Sequence, residues 1–209
     1  MMKRIWIVLI LLMLSGCDAP AQTAVIPEVR GTIQQMTAEQ EYSGGVYRNS
    51  AFGFGCVLNE NWICADEAEL KARKESARTT EKLPDDADFF VDFYACAEDH
   101  SAAIEVVVEN MGVLYGAIWS EEQYLNNALE EIDAYLEDSE IAYGTAEAVE
   151  ITFGGKTYPS ILVTGSVGDV PVYQRQVYLK SGDYMAVVSV SCFQVDISEA
   201  VFGLFFLTN

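Results

Sequence analysis

The residues of this 209-residue chain best suited to chemistry are four cysteines, the single histidine and one polar stretch inside an apolar run. Cys56, Cys64, Cys96 and Cys192 form an even set, as disulfide pairing in an exported protein requires. Cys56 and Cys64 flank a turn at residues 59–61, whereas Cys96 and Cys192 both fall in strand-like runs. The expected pairs are therefore Cys56–Cys64 and Cys96–Cys192, with four buried free thiols as the alternative. No Cys-x-x-Cys spacing is present, so a structural zinc site is not expected. His100 would have to be the base of any Cys–His or Ser–His device, yet it lies in a turn between Asp99 and Ser101. Gly165-Ser166-Val167-Gly168 lacks the Gly-x-Ser-x-Gly spacing of a nucleophile elbow. No catalytic residue is assigned.

Tyr173-Gln174-Arg175-Gln176 places polar side chains mid-strand, where they must be hydrogen-bonded or line a groove. These four residues are the candidate binding set, with Arg175 as an anchor for an anion or carboxylate. The alternatives are a solvent-facing strand side, or an ion pair between Arg175 and a neighbouring carboxylate. Asp85-Asp86-Ala87-Asp88 is acidic enough to suggest calcium, but an EF-hand loop needs Gly and Glu where Phe90 and Cys96 stand. No metal site is expected, and no cofactor.

The elements that must position these residues follow from apolar periodicity and turn residues. Gly154-Gly155, Gly168-Asp169 and Ser181-Gly182-Asp183 separate four runs rich in β-branched and aromatic residues, predicting a four-stranded antiparallel meander. Residues 87–97 and 102–110 predict another hairpin, and residues 46–50 and 52–58 a third. Ser120-Glu121-Glu122-Gln123 is a capping box, with Trp119 and Tyr124 placed as a hydrophobic staple. A second helix begins at Asp66 and carries Lys71, Arg73, Lys74, Arg78 and Lys82, a possible docking face tempered by interspersed glutamates. A last short helix is expected over residues 196–206. Hairpins and meander with intervening helices predict an α+β domain: an antiparallel sheet flanked by helices.

Charge and composition limit what such a domain can do. With 32 acidic against 12 basic residues the formal charge is −20, which argues against sustained contact with nucleic-acid phosphates. Apolar residues make up 51 % of the chain, which excludes a disordered polyelectrolyte.

The N-terminus indicates location. Lys3 and Arg4 precede an apolar run from Ile5 to Leu14, the charged and apolar regions of a secretory signal and too short to span a bilayer. Leu14-Ser15-Gly16-Cys17 resembles the lipobox of bacterial lipoproteins. That resemblance implies a signal peptide over 1–16 and diacylglycerol on Cys17, two chains being enough for stable attachment to the extracytoplasmic face of the cell membrane. Residues 17–44, with Pro20, Pro27 and Ser43-Gly44-Gly45 at the end, are expected to form a flexible tether, leaving 45–209 as one domain.

Val46-Tyr47-Arg48-Asn49, Phe52-Gly53-Phe54 and Asn61-Trp62 resemble the opening of PsbP-like domains. That resemblance implies an α/β/α sandwich around an antiparallel sheet, and no shared catalytic residues. The function expected is that of a non-catalytic binding or protein-interaction module of the cell envelope, with a protein partner there. The alternatives are an envelope hydrolase using a carboxylate pair, or a small-solute binding lipoprotein.

Overall fold

The structure is a computed structural model that describes residues 29–35, 45–80, 87–138 and 142–208. The signal peptide, Cys17, most of the expected tether, Lys82, Asp85 and Asp86 lie outside the described residues.

Its centre is a seven-stranded antiparallel sheet in the order β4-β5-β6-β10-β9-β8-β7. The strands are β4 (Trp62–Cys64), β5 (Phe89–Ala97), β6 (Ala102–Asn110), β7 (Ala142–Phe153), β8 (Lys156–Val167), β9 (Val170–Ser181) and β10 (Tyr184–Phe193). β7 to β10 are the expected meander. Gly154 and Gly155 have φ of 56° and 81°, the left-handed values that a two-residue hairpin turn demands and glycine tolerates. β10 then pairs with β6, which joins the meander to the β5–β6 hairpin. Because both faces of β10 are covered, Met185 to Cys192 are buried without interruption, and the strand reads as a continuous apolar-rich run.

One face of this sheet carries the helices. α1 (Glu67–Thr80) lies over β5, α2 (Gly112–Ile118) follows β6, and α3 (Glu121–Asp138) packs over β7 to β9. Asp66 caps α1 by accepting the Glu69 amide at 2.9 Å. The capping box of α3 is reciprocal: Ser120 Oγ accepts the Gln123 amide at 3.2 Å, and Gln123 Oε1 accepts the Ser120 amide at 2.8 Å. Trp119 and Tyr124 meet edge to face, with ring centroids 6.2 Å apart. Unlike these two, α2 has no counterpart in the expected elements, and it leaves Val113, Leu114 and Ile118 exposed.

The other face departs from the α/β/α expectation. It is covered mainly by a second sheet, in the order β1-β2-β3-β11, made of β1 (Thr32–Gln35), β2 (Gly45–Asn49), β3 (Phe54–Val57) and β11 (Phe205–Leu207). The only helix packed there among the described residues is the short α4 (Ser198–Phe202). The expected helix over 196–206 therefore stops early. Gly203 ends α4, and Phe205 to Leu207 satisfy the open edge of β3, with Phe205 opposite Cys56 and Leu207 opposite Phe54. Phe54, Phe153, Phe202 and Phe205 fill the space between the sheets, each buried ring contributing about 1.5–3 kcal/mol.

A second correction concerns the tether. Residues 29–35 belong to the folded domain: β1 pairs with β2, placing Thr32 opposite Arg48 and Ile33 opposite Tyr47. They are held by Asp92, which sits at a bulge in β5 between Val91 and Phe93. Its carboxylate accepts the Gly31 amide at 2.8 and 2.9 Å, the Tyr47 hydroxyl at 2.5 Å and the Asn49 amide group at 2.9 Å. The Asn49 side chain also donates to Val29 O at 2.8 Å. Residue 31 has to be glycine, since a Cβ there would run into the Tyr47 ring.

Candidate functional site

Strand alternation splits the candidate binding set. Gln174 and Gln176 share a face with Tyr178, toward the helices, while Tyr173 and Arg175 share the opposite face with Val177. They cannot form one groove.

On the helix side the two glutamines belong to a hydrogen-bonded rail. The Tyr178 hydroxyl donates to Gln176 Oε1 at 2.5 Å, Gln176 Nε2 donates to Gln174 Oε1 at 3.0 Å, and Gln174 Nε2 donates to Ser191 Oγ at 3.0 Å. Across the sheet Gln176 stands opposite Ser189, Ser189 opposite Glu105, and Glu105 opposite Tyr94. The result is a polar row, Tyr94–Glu105–Ser189–Gln176, on the two central strands and their neighbours, between the apolar cluster under α1 and the one under α3.

Glu105 is the exceptional member. Its side chain is only 7 % exposed, and Oε1 has no hydrogen-bond partner among the described residues. Burial pushes its carboxyl up to about 8, opposed by the positive charge of Arg73. At neutral pH it therefore carries its proton and is a hydrogen-bond donor as well as an acceptor. Arg73 lies over the Tyr94 ring, 3.1 Å from its centroid, and pairs with Glu69 at 3.0 Å.

At the end of the row the hairpin turn brings two further groups together. Cys96 Sγ lies 3.5 Å from His100 Nδ1, across a turn in which His100 takes a φ of 58°. Burial pushes the Cys96 thiol up, against the Tyr94 hydroxyl and Arg73, so the pair is not an activated thiolate.

Arg175 is committed elsewhere. It is 8 % exposed, with Nη2 3.3 Å from Asp196 and Nη1 3.8 Å from Glu199 beside α4. Of the three readings of Arg175, this geometry corresponds to the ion pair with a neighbouring carboxylate. The basic helix is likewise turned partly inward: Arg73 covers Tyr94, while Lys74 and Arg78 lie over Phe89. No cluster of three or more metal-ligating side chains occurs among the described residues.

All four body cysteines are free thiols, which corrects the expected disulfides. Cys96 and Cys192 cannot pair in this sheet. They lie two strands apart, about 9–10 Å, beyond the roughly 7 Å limit for Cα atoms, and on opposite faces. Cys56 and Cys64 share one core cluster, where burial pushes both thiols up and they pack as small apolar groups.

Sequence reasoning missed Asp92 and Glu105. Both were visible as carboxylates interrupting apolar strands, in Phe89-Phe90-Val91-Asp92-Phe93 and Ala103-Ile104-Glu105-Val106.

No protein-family model matches the chain, and no curated protein matches it. Among solved structures it is similar to LpqN of Mycobacterium tuberculosis, described as involved in cell envelope biogenesis. The identity is 11 % and the TM-score 0.37, over 88 % of this chain and 93 % of that one. A likeness of that level carries neither function nor residue roles across. No helix among the described residues is long and apolar enough to cross a membrane.

Proposed function

We propose that the chain is a lipid-anchored extracytoplasmic lipoprotein whose PsbP-like domain is a non-catalytic binding module of the cell envelope. Cys17 carries the diacylglycerol, and the group that meets the ligand is Glu105, which is 7 % exposed within the buried row. The observation that supports a binding role is Glu105, a buried carboxyl whose Oε1 has no hydrogen-bond partner among the described residues, in a row whose Gln176 is hydrogen-bonded at both side-chain ends. Leaving such a group unsatisfied costs roughly 1–3 kcal/mol, which a ligand's polar group would recover. The hydrolase alternative has less support. Glu109, the next carboxylate along the same face of β6, is four residues away, about 13 Å of strand, against the roughly 5–10 Å of a catalytic pair. It is also bound by the Tyr124 hydroxyl.

Two measurements test this reading. Cys17→Ala should move the protein from the membrane fraction to the soluble envelope fraction, and retention in the membrane would refute the anchor. Crosslinking in intact cells, followed by mass spectrometry, should capture a specific envelope component with the wild type and lose it with Glu105→Ala. Equal capture by the variant would remove the row from the function.

A further inference from the structure

Strand β7 is the outer strand of the seven-stranded sheet, paired with β8 on one side and with no other described strand. Its hairpin with β8 closes at Gly154-Gly155, with Phe153 opposite Lys156. In a two-residue hairpin that closing pair exchanges both main-chain hydrogen bonds, and the pattern alternates from there. Glu147, Val149, Ile151 and Phe153 therefore direct N–H and C=O toward β8. Ala146, Ala148, Glu150 and Thr152 direct theirs outward, leaving about 20 Å of main chain without a strand partner among the described residues. Ala148, Glu150 and Thr152 are also exposed. An edge of this length is a template for an added strand.

The edge has a shape and a charge that narrow its occupant. A groove of about 340 Å³ is lined by Glu150, Ile151, Thr152, Thr157 and Glu199. Ile151 points into the inter-sheet core, so by alternation Glu150 and Thr152 point to the other face, while Glu199 comes from α4. The groove thus straddles the edge. Exposed Glu147, Glu150 and Glu199 make it acidic, in a chain of formal charge −20. A second copy paired about a two-fold axis would bring two sets of these glutamates together, which is destabilising.

We propose that the β7 edge receives an extended segment of a basic partner protein by strand addition, with a Lys or Arg on one face of the added strand meeting Glu150 and another on the opposite face meeting Glu199. This goes beyond the reading above. It uses a surface separate from the Glu105 row and holds whether or not the chain carries a lipid.

The test uses the full chain in detergent micelles and a synthetic peptide in which lysine pairs alternate with valine pairs, so that both faces of the added strand carry lysines, with glutamate replacing lysine in the control. The lysine peptide should bind and slow amide exchange at Ala146, Ala148, Glu150 and Thr152, while the glutamate peptide should not bind. Ala148→Pro removes one outward N–H and should weaken binding about tenfold, the worth of one main-chain hydrogen bond. Glu150→Lys, an exposed change, should weaken it too and decides the matter if the proline variant fails to fold. Binding that leaves the four amides unchanged, or that is the same in both variants as in the wild type, overturns the proposal. Protection of those amides that rises with protein concentration and without peptide would assign the edge to a second copy, and also overturns it. Fractionation of Cys17→Ala and crosslinking of Glu105→Ala report on the anchor and the polar row alone, so either proposal can fail without the other.

Discussion

The Asp92 carboxylate and the Tyr47 hydroxyl, 45 residues apart in sequence, meet at 2.5 Å between the two sheets. Tyr47 also stacks on Phe93, with ring centroids 4.4 Å apart, so the bulge that turns Asp92 inward lies beside the ring that uses it. Through Gly31 and Asn49 the same carboxylate fixes the segment before β1.

Replacing that carboxylate should be among the costliest single changes. Asp92→Ala would leave the Tyr47 hydroxyl and the Asn49 side chain short of an acceptor, a loss on the order of 3 kcal/mol. Urea denaturation should show it, and amide exchange at Gly31 should accelerate well beyond the global change. If stability falls and Gly31 remains protected, Asp92 is not what holds that segment.

Glu105 sets a pH dependence of opposite sign to that of most carboxylates. Its folded value of about 8 exceeds the ordinary 4.5, so the folded state holds a proton that the unfolded chain releases. Stability is then greatest below 4.5 and declines as pH rises toward 8, by up to about 1.4 kcal/mol per unit. Glu105→Gln should flatten that slope and stabilise the protein at pH 8. Parallel urea titrations of both proteins at pH 5.5 and pH 8 would check it, and identical slopes would refute the assignment.

The capping box gives a cleaner local prediction. Ser120→Ala removes the acceptor for the Gln123 amide and should cost about 1 kcal/mol. Thermal unfolding should show the loss, with no change in cysteine accessibility.

Thiol labelling separates the four body cysteines by burial. Under native conditions an alkylating reagent should reach half-buried Cys96 and Cys64 first, and reach Cys56 and Cys192 only after unfolding. Burial pushes the Cys192 thiol up to about 11, which slows it further. Recovery of a Cys96–Cys192 disulfide peptide from freshly purified protein would contradict the strand register.

The meander, the β5–β6 hairpin and the two capped helices were legible because their signals are local: turn glycines, alternating apolar runs and a serine three residues before a glutamine. β1 and β11 were not. Thr32-Ile33-Gln34-Gln35 has the composition of a linker, and its strand pairing is supported by Asp92, 61 residues beyond Gly31. Phe205-Phe206-Leu207 could extend a helix until the open edge of β3 is known. Alternation alone should have divided Tyr173–Gln176 between two faces. The row that includes Glu105 depends on β6 lying beside β10, a pairing across about eighty residues that no turn announces.

The Asp92 staple also has a mechanical side. Tension applied through the chain ahead of residue 29 meets the domain at Val29, held by Asn49, and at Gly31, held by Asp92, before it reaches β1. From Gly31 it passes through one carboxylate into β5, the strand next to the β4 edge of the larger sheet, so β1 is shielded from peeling until these contacts break. The staple works as a fuse: below its rupture force a pulled domain stays whole, and above it β1 is the first element to come away.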